Sequence, residues 1–292
     1  MTTSVTLQKV TFRVLVSDRT QYGSALWSEH GLAVHAEAIF SDGGSLQALF
    51  DTGSSPELLE HNLRETGIEP GDLHYVVLSH CHRDHTGGMV GLSREFTEDL
   101  SVVAHPEIRR KALDGRRGLR PVGPPEALWE SIGEDRLIFL SEPAQIYPDI
   151  WFSGEIPRLT PFEKPREHLY TLKEGKLLPD TDPDDASMWF DLGDSGLVLL
   201  TGCSHSGLVN TVHHAARVMD ARHFCAIMGG FHLVNADDET ISSTAEGLED
   251  FSINEIIPGH CTGKNAESIF GDRYGDKLVP FSTGNTFTFY RS

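Results

Sequence analysis

The chain has 292 residues, of which 39% are hydrophobic and 23% are charged, as in a globular protein with a sizeable core. Its 24 basic and 43 acidic residues give a formal net charge of −19. Because so acidic a surface repels phosphate backbones and anionic lipids, we expect a small-molecule substrate, with neither nucleic acid nor membrane as a partner.

Other bulk features favour a cytoplasmic protein. The first residues lack the apolar core of a signal peptide, and no apolar run reaches the roughly 20 residues that cross a bilayer. The four cysteines form no C-x-x-C pair and are too sparse for a disulfide scaffold. We therefore predict free thiols in a reducing compartment. The oligomeric state has no signature in the sequence.

The first third of the chain has the pattern of strands followed by a helix. Alternating apolar residues between 10 and 16 predict a half-buried strand. Two apolar runs, 33–40 and 45–50, are separated by a turn that contains two glycines and predict a hairpin. Pro56 fits the first turn of a helix that would end at Gly67.

Four later apolar strands each lead into a histidine-containing loop. These loops begin after Leu78, Thr201, Met228 and Pro258. In layered α/β folds the carboxyl ends of strands are where functional sites assemble, so we expect the loops to meet. Between the first and second of them, residues from about 114 to 186 are interrupted by ten prolines, which indicates an insertion or lid rather than a second domain.

The spacing of His80, His82, Asp84 and His85 is typical of a metal site. Alternate residues share a face of an extended chain, so His80 and His82 can point to the same side. The chain must then bend, and Asp84 and His85 approach from another direction. Two such clusters can hold two metal ions roughly 3.5–4 Å apart. Imidazole and carboxylate ligands suit zinc, iron or manganese.

The run from Ser79 to Gly88, Ser-His-Cys-His-Arg-Asp-His-Thr-Gly-Gly, resembles the signature of the metallo-β-lactamase-fold hydrolases. Asp51-Thr52-Gly53 resembles that superfamily's early aspartate motif, and Pro258-Gly259-His260 its late histidine motif. The resemblance implies an α/β fold, an αββα sandwich in which two β-sheets are flanked by helices. Residues 1–292 would form a single domain of this type.

Three further motifs resemble a narrower branch of the superfamily. They are Thr201–Gly207, Gly229–Leu233 and Pro258–Gly263. Members of this branch are called 7,8-dihydropterin-6-yl-methyl-4-(β-D-ribofuranosyl)aminobenzene-5′-phosphate synthases, or dihydropteroate-synthase-like metallo-hydrolases. That name implies a pterin-condensing role.

The resemblance implies roles for five residues in two metal sites. His80 and His82 would bind one metal ion, while Asp84, His85 and His260 would bind the other. The cofactors would be two divalent metal ions, Zn²⁺ foremost, with iron or manganese as alternatives.

The chain departs from the superfamily at the position of a metal-bridging aspartate. Cys203 follows the Thr-Gly turn there, and His205 stands two residues later. We expect His205 to complete the first metal site, with Cys203 as the alternative ligand, and a thiolate would favour zinc or iron. Without the carboxylate, water or hydroxide would have to bridge a dinuclear site. We expect Asp51 to order the histidine loop by accepting hydrogen bonds rather than to bind metal directly.

The remaining polar residues carry weaker signals. His232 is either a core or hinge residue or faces the substrate as a general acid or oxyanion donor. The acidic run from Asp180 to Asp185 is interpreted as a solvated loop. Lys164, Arg166 and Lys264 are interpreted as surface charges that could contact an anion. The histidines without partner spacing are expected to be ordinary surface or core residues, namely His30, His35, His61, His74, His105, His168, His213, His214 and His223.

The leading functional prediction is a metal-dependent hydrolase that acts on a small substrate, such as a phosphoester, cyclic ester or lactone, through metal-bound hydroxide. Asp84 would orient the hydroxide, and His232 or His205 would assist the leaving group. The alternatives are a pterin-condensing synthase that releases pyrophosphate, a di-iron redox enzyme and a metal-stabilised binding protein without turnover.

Overall fold

The computed structural model describes residues 5–97 and 99–292. The helices are α1 (Pro56–Thr66), α2 (Arg83–Thr86), α3 (Met89–Leu92), α4 (Ala127–Ile132), α5 (Leu208–Val218), α6 (Asp238–Gly247) and α7 (Lys264–Tyr274). The strands are β1 (Leu7–Val16), β2 (Ala33–Phe40), β3 (Ser45–Phe50), β4 (Tyr75–Val77), β5 (Ser101–Ala104), β6 (Lys111–Asp114), β7 (Arg120–Pro121), β8 (Leu137–Phe139), β9 (Ala144–Tyr147), β10 (Ile150–Phe152), β11 (Leu169–Lys173), β12 (Lys176–Pro179), β13 (Ser187–Asp191), β14 (Leu197–Thr201), β15 (His223–Gly230), β16 (Ser252–Gly259) and β17 (Thr286–Tyr290).

Two large sheets form the middle of the molecule. The first has the strand order β17-β1-β2-β3-β4-β5-β8, and the second has the order β16-β15-β14-β13-β10-β9. Their inner faces share one apolar core, in which the rings of Phe12 and Phe190 meet edge to face with centroids 5.0 Å apart. Helices α1, α3 and α4 cover the outer face of the first sheet, and α5, α6 and α7 cover that of the second. The predicted αββα sandwich is confirmed.

Three neighbouring strands of the second sheet are covered on both faces, which explains their apolar sequences. Strands β14, β15 and β16 are parallel and have a helical layer on one side and the other sheet on the opposite side. Leu200 faces the first sheet, whereas the preceding Leu199 faces the helices. Because both faces of these strands are covered, both faces must be apolar. Each fully buried leucine contributes about 1.5–3 kcal/mol to folding.

The early elements lie where the sequence predicts them. The hairpin strands cover residues 33–40 and 45–50, and α1 begins at Pro56. The helix ends at Gly67, whose φ of 68° is left-handed, a conformation that glycine adopts without strain. Among the described residues, no helix is both long enough and apolar enough to span a bilayer.

The Pro-rich stretch from 114 to 186 contributes to all the sheets. It adds β8 to the edge of the first sheet and β9 and β10 to the edge of the second. Its β11 and β12 join β6 and β7 in a small third sheet with the order β12-β11-β6-β7. Residues of β6, β7, β11 and their connecting loops line a cavity of about 700 Å³ that His82 and His205 also line, so this stretch lies beside the histidine cluster.

Candidate metal centre

Four residues that follow strands of the two large sheets share an uncommon backbone conformation. Asp51, Ser204, His232 and His260 lie within three residues of the ends of β3, β14, β15 and β16, and each has a positive φ of 48–57°. Residues other than glycine seldom adopt this left-handed conformation, although aspartate and histidine do so more readily than most. Such strain of order 1–3 kcal/mol tends to be retained where it positions functional groups.

Two histidines are each held by a carboxylate. Nδ1 of His85 lies 2.6 Å from Oδ2 of Asp51, and Nδ1 of His260 lies 2.7 Å from Oδ1 of Asp18. Since a carboxylate accepts, each Nδ1 carries the ring hydrogen and donates it. When the rings are neutral, each Nε2 therefore carries a lone pair, and the two Nε2 atoms lie 3.3 Å apart.

Further donors converge on the same point. Sγ of Cys203 lies 3.1 Å from Nε2 of His85, and Oδ2 of Asp84 lies 3.3 Å from Nε2 of His260. Facing lone pairs repel unless a positive charge lies between them. A proton could neutralise one pair of atoms, but two imidazoles, a carboxylate and a thiol together are the donor set of a divalent transition metal. The residues present therefore fit a metal ion, and we refer to them as the His260 half.

The pKa values of Asp84 and His260 also show that the surroundings of the His260 half favour positive charge. Burial opposes ionisation of Asp84, but the nearby His85 and the hydrogen bonds from His260 and His30 hold its pKa well below the usual range. Burial also opposes protonation of His260, yet Cys261, Asp18 and Asp84 raise the pKa of His260 well above its ordinary value. A metal ion at Nε2 would take the place of that proton.

A second group of imidazoles adjoins the first. Nε2 of His80 lies 3.1 Å from Nδ1 of His82, and the rings of His80 and His205 have centroids 4.4 Å apart. Ligand atoms of His80, His205 and Cys203 all lie within 4.8 Å of one another. Nδ1 of His80 contacts the hydroxyl of Ser79 at 2.9 Å, and that hydroxyl also contacts Asp51 at 2.7 Å. We call His80, His82 and His205 the His80 half.

Burial disfavours the protonated form of the three histidines in the His80 half. Burial and the neighbouring His85 lower the pKa of His80 well below its ordinary value. Burial lowers the pKa of His82 to about 3, although Asp182 opposes the shift. Burial and the Arg166 guanidinium lower the pKa of His205 in the same way. Neutral imidazole is the form that binds metal.

Cys203 is shared between the two halves. It belongs to the group with His80 and His205 and also to the group with His85 and His260. The sequence presented His205 and Cys203 as alternatives, whereas the structure brings both to the cluster. Sγ of Cys203 also lies 3.3 Å from Sγ of Cys261, which the sequence did not single out.

Asp51 accepts hydrogen bonds from the histidine loop, as the sequence predicts for it. Its Oδ1 accepts from the backbone N–H of Ser79 at 2.7 Å, and its Oδ2 contacts the Ser79 hydroxyl and His85. None of the candidate metal groups found in residues 5–97 and 99–292 contains Asp51.

The interpretation of residues 180–185 as a solvated loop is wrong. Asp180, Asp182, Asp184 and Asp185 are buried, and the Arg110 guanidinium contacts the first three of them. Several neighbouring carboxylates are costly to bury. One buried guanidinium, however, has five N–H donors and can satisfy several of them at once. Arg110 lies 70 residues before Asp180 in the chain, so the sequence around the aspartates could not reveal this partner.

Asp182 brings this loop to the His80 half. Its Oδ1 lies 3.5 Å from Nδ1 of His205 and 3.8 Å from Nε2 of His82. That Nε2 atom is buried and has no hydrogen-bond partner in the described part of the chain. Asp182 is therefore a candidate ligand or orienting carboxylate that the sequence interpretation missed.

His30 and Asp18 were also missed. Nδ1 of His30 lies 3.0 Å from Asp18, and Nε2 of His30 lies 3.2 Å from Asp84. Hydrogen bonds to Asp18 and Asp84 raise the pKa of His30 to about 10. The expectation that His30 is an ordinary residue away from the site is wrong.

Arg166 and His232 border the cluster on its open side. NH2 of Arg166 lies 2.8 Å from Nδ1 of His205 and 3.2 Å from Oδ2 of Asp182, and NH1 lies 2.9 Å from Nε2 of His232. Both side chains line a cavity of about 700 Å³ that also reaches Cys203 and His260. Arg166 is thus part of the site rather than an ordinary surface charge. Lys164 lies in an adjoining cavity, and Lys264 begins α7 outside both cavities.

Comparisons with known proteins agree with this geometry. The metallo-β-lactamase superfamily model matches residues 38–160. The chain is 31% identical over 284 residues to a 7,8-dihydropterin-6-methyl-4-(β-D-ribofuranosyl)-aminobenzene-5′-phosphate synthase of Methanocaldococcus jannaschii, and the match covers 94% of this chain and 95% of the relative.

Crystal structures of other proteins share the fold, including the following two. One is a metal-dependent hydrolase of the β-lactamase superfamily, with a TM-score of 0.78 and 25% identity over 96% of this chain and 99% of that one. The other is the metallo-β-lactamase-fold protein YhfI from Bacillus subtilis, with a TM-score of 0.56 and 11% identity over 97% of this chain and 100% of that one.

The chain belongs to the metallo-β-lactamase superfamily. Its predicted resemblance to the dihydropterin-related synthase branch is confirmed by the relative from M. jannaschii. Membership implies an enzyme fold that binds divalent metal, and the candidate ligand groups lie where the fold brings its strand ends together.

Proposed function

We propose that this protein is a metal-dependent hydrolase of a small substrate such as a phosphoester or cyclic ester, with two divalent metal ions, Zn²⁺ foremost. The convergence of lone pairs from His85, His260, Asp84 and Cys203 is the observation that supports this proposal most strongly. When bound, such ions supply Lewis acidity, which makes water acidic enough to act as a nucleophile near neutral pH.

The side chains divide the remaining work. Asp18 and Asp51 fix the tautomers of His260 and His85, so that both Nε2 atoms stay available. The Asp84 carboxylate stays ionised beside these rings and can accept a hydrogen bond from the attacking water. His232 faces the cavity and can donate a hydrogen bond to a substrate oxygen.

The cavity sets the size of the substrate. About 700 Å³ accommodates a drug-sized molecule and excludes a folded protein. Its wall includes three arginines, Arg83, Arg116 and Arg166. An overall acidic protein therefore presents several basic groups where the substrate would enter, which favours an anionic molecule.

The test combines metal analysis with a hydrolysis screen. Purified protein should contain close to two equivalents of divalent metal by mass spectrometry, and it should hydrolyse at least one aryl phosphoester or lactone. Chelation should abolish that activity, and added metal should restore it. His85→Ala should lose both metal and activity, whereas His213→Ala, an exposed histidine on α5, should retain both. Full turnover by chelated, metal-free protein would contradict the proposal.

A second candidate is the condensation for which the relative from M. jannaschii is named. The 31% identity over nearly the whole of both chains favours it. The same metal centre would then activate displacement by an arylamine rather than by water. Incubation with a pterin pyrophosphate and an aminobenzene ribose phosphate should release pyrophosphate only when both are present. Hydrolysis of the pyrophosphate ester alone, at an equal rate, would favour the hydrolase.

A further inference from the structure

Two cysteines lie in contact beside the metal centre. Sγ of Cys203 and Sγ of Cys261 are 3.3 Å apart, and Sγ of Cys261 lies 3.9 Å from the carbonyl oxygen of Cys203. Cys203 follows β14 and Cys261 follows β16, and these strands lie on either side of β15. The fold thus brings together two thiols that are 58 residues apart along the chain.

Gly230, the last residue of β15, leaves the space in which the two sulfurs meet. A Cβ atom at this position would lie 2.8 Å from Sγ of Cys261 and 3.4 Å from Cα of Cys203. A side chain at residue 230 would therefore displace the sulfur of Cys261. The approach of the two sulfurs depends on a glycine at the end of the strand between them.

A small molecule that enters the cavity above the metal centre can reach both thiols. Cys203 and Cys261 line the cavity of about 700 Å³, although only 2% and 5% of their surfaces are exposed. The other two cysteines, which also lie within residues 5–97 and 99–292, do not line this cavity. Cys81 is fully buried, and Cys225 packs against the core between the large sheets. An oxidant in the cavity therefore meets Cys203 and Cys261 as a pair.

The two sulfurs differ in their relation to the metal centre. Cys203 belongs to ligand groups of both halves, whereas Cys261 is grouped only with Cys203 and His232 in the described part of the chain. The backbone N–H of His232 donates to Sγ of Cys261 at 3.3 Å. The sulfur of Cys261 is therefore held next to a candidate metal ligand but outside both halves, where it stays available for reaction when metal is bound.

We propose that Cys203 and Cys261 form a reversible oxidation site, at which a peroxide converts the two thiols into a disulfide and removes the shared ligand from the metal centre. An S–S bond is about 2.05 Å long, so the sulfurs need to approach each other by roughly 1 Å. A sulfur in a disulfide no longer offers the thiolate that binds metal. The inference goes beyond the proposed function, because it holds whichever reaction the centre catalyses.

The oxidation proceeds in two steps. The sulfur of Cys261 attacks one oxygen of hydrogen peroxide, the O–O bond breaks, and water leaves while the sulfur becomes a sulfenic acid. The sulfur of Cys203 then attacks the sulfur of Cys261, the S–O bond breaks, and a second water leaves as the S–S bond forms. Two thiols and one hydrogen peroxide thus give one disulfide and two water molecules. Thiol–disulfide exchange with a reductant restores both thiols.

Peroxide treatment of the unaltered protein tests the site directly. Reduced, metal-loaded protein treated with one equivalent of hydrogen peroxide should lose the mass of two hydrogen atoms, and peptide mapping should place the new bond between Cys203 and Cys261. The zinc affinity of the oxidised protein should fall about ten-fold or more, and reduction should restore it. Thiols that stay reduced, oxygen adducts in place of the bond, or an unchanged zinc affinity of the bonded protein would overturn the inference.

Cys261→Ser separates the oxidation site from metal binding. Reduced Cys261→Ser should bind zinc within about three-fold of the wild type, because Cys261 belongs to neither half, but peroxide should release its zinc about ten-fold or more slowly. Cys225→Ser is the matched control, since Cys225 is half-buried and lies away from the cavity. It should form the disulfide and release zinc as the wild type does.

Two results with Cys261→Ser would overturn the inference. One is release of zinc as fast as from the wild type, and the other is a zinc affinity as low as that of Cys203→Ser, which would make Cys261 a metal ligand. If Cys261→Ser does not fold, the peptide map and the zinc affinity of the unaltered protein decide the matter. These measurements follow thiols and bound zinc, so a failure to find hydrolysis leaves their outcome unaffected.

Discussion

The two halves of the metal centre are held in different ways. In the His260 half, carboxylates of Asp18 and Asp51 contact the imidazoles at 2.7 and 2.6 Å and fix their tautomers. In the His80 half, the Ser79 hydroxyl contacts His80, while Asp182 stays 3.5–3.8 Å from His205 and His82. The first arrangement is anchored by segments that directly follow strands of the large sheet. The second depends on a loop of the Pro-rich stretch.

This difference implies unequal preorganisation. A carboxylate that already fixes the orientation of an imidazole reduces the ordering that metal binding must impose. The His260 half should therefore bind its metal ion more tightly than the His80 half, and we call this ion the tighter equivalent. The His80 half must also keep Arg166 and Arg110 in place around Asp182. We therefore expect two unequal metal affinities, and variants of the supporting residues should change one more than the other.

The largest effect is expected for Asp51→Asn. The amide can still accept from the Ser79 N–H, but it presents hydrogens toward Nδ1 of His85, which favours the opposite tautomer and places a hydrogen on Nε2. Affinity for the tighter metal equivalent should fall about 100-fold. Competition with a chromophoric chelator measures it. Asp191→Asn, another aspartate at a strand end, is the control, and equal affinities in the two variants would contradict the assignment.

Cys203→Ser should weaken both halves, because its sulfur belongs to both ligand groups. We expect both zinc affinities to fall by about ten-fold or more, since a hydroxyl is a far poorer ligand than a thiolate. In cobalt-substituted protein the near-ultraviolet thiolate-to-metal absorption should disappear. Cys225→Ser, in β15 away from the cluster, should retain it. Loss of only one equivalent in Cys203→Ser would show that the sulfur is not shared.

Asp18→Asn should act on the His260 half alone and by less than Asp51→Asn. The Asp18 side chain is 35% exposed, so water can replace part of its contact with His260. Affinity for the tighter equivalent should fall about ten-fold. His30→Ala keeps the Asp18–His260 contact and serves as the control, with a smaller loss expected. A loss confined to the weaker equivalent would reverse the comparison between the halves.

The sequence could predict those parts of the site that depend on local spacing. The hairpin, the strand ends and the loop from His80 to His85 each follow from the periodicity of a few residues and from the family signature. Asp18 could not be found in this way, because its partner His260 is 242 residues away along the chain.

Asp182 and Arg166 eluded prediction for a related reason. A run of aspartates is usually solvated. The aspartates from Asp180 to Asp184 are buried because they contact the buried side chain of Arg110, which directly precedes β6. Arg166 lies among prolines with no periodic pattern, and its role follows from where the third sheet lies. Tertiary contacts of this kind override what the local sequence indicates.

The smallest effect is expected for Asp182→Asn. Burial opposes ionisation of Asp182, but Arg166, His82 and Arg110 outweigh it and lower its pKa to about 2, so a full negative charge faces the His80 half near neutral pH. Removing that charge should weaken the second metal equivalent roughly five- to ten-fold and leave the first unchanged. Asp180→Asn is the matched control, because Asp180 contacts Arg110 but is in none of the candidate ligand groups of the described residues. If Asp180→Asn weakens the second equivalent as much as Asp182→Asn does, the loop acts only through its folding, and the proposed role of the Asp182 carboxylate at His82 and His205 is wrong.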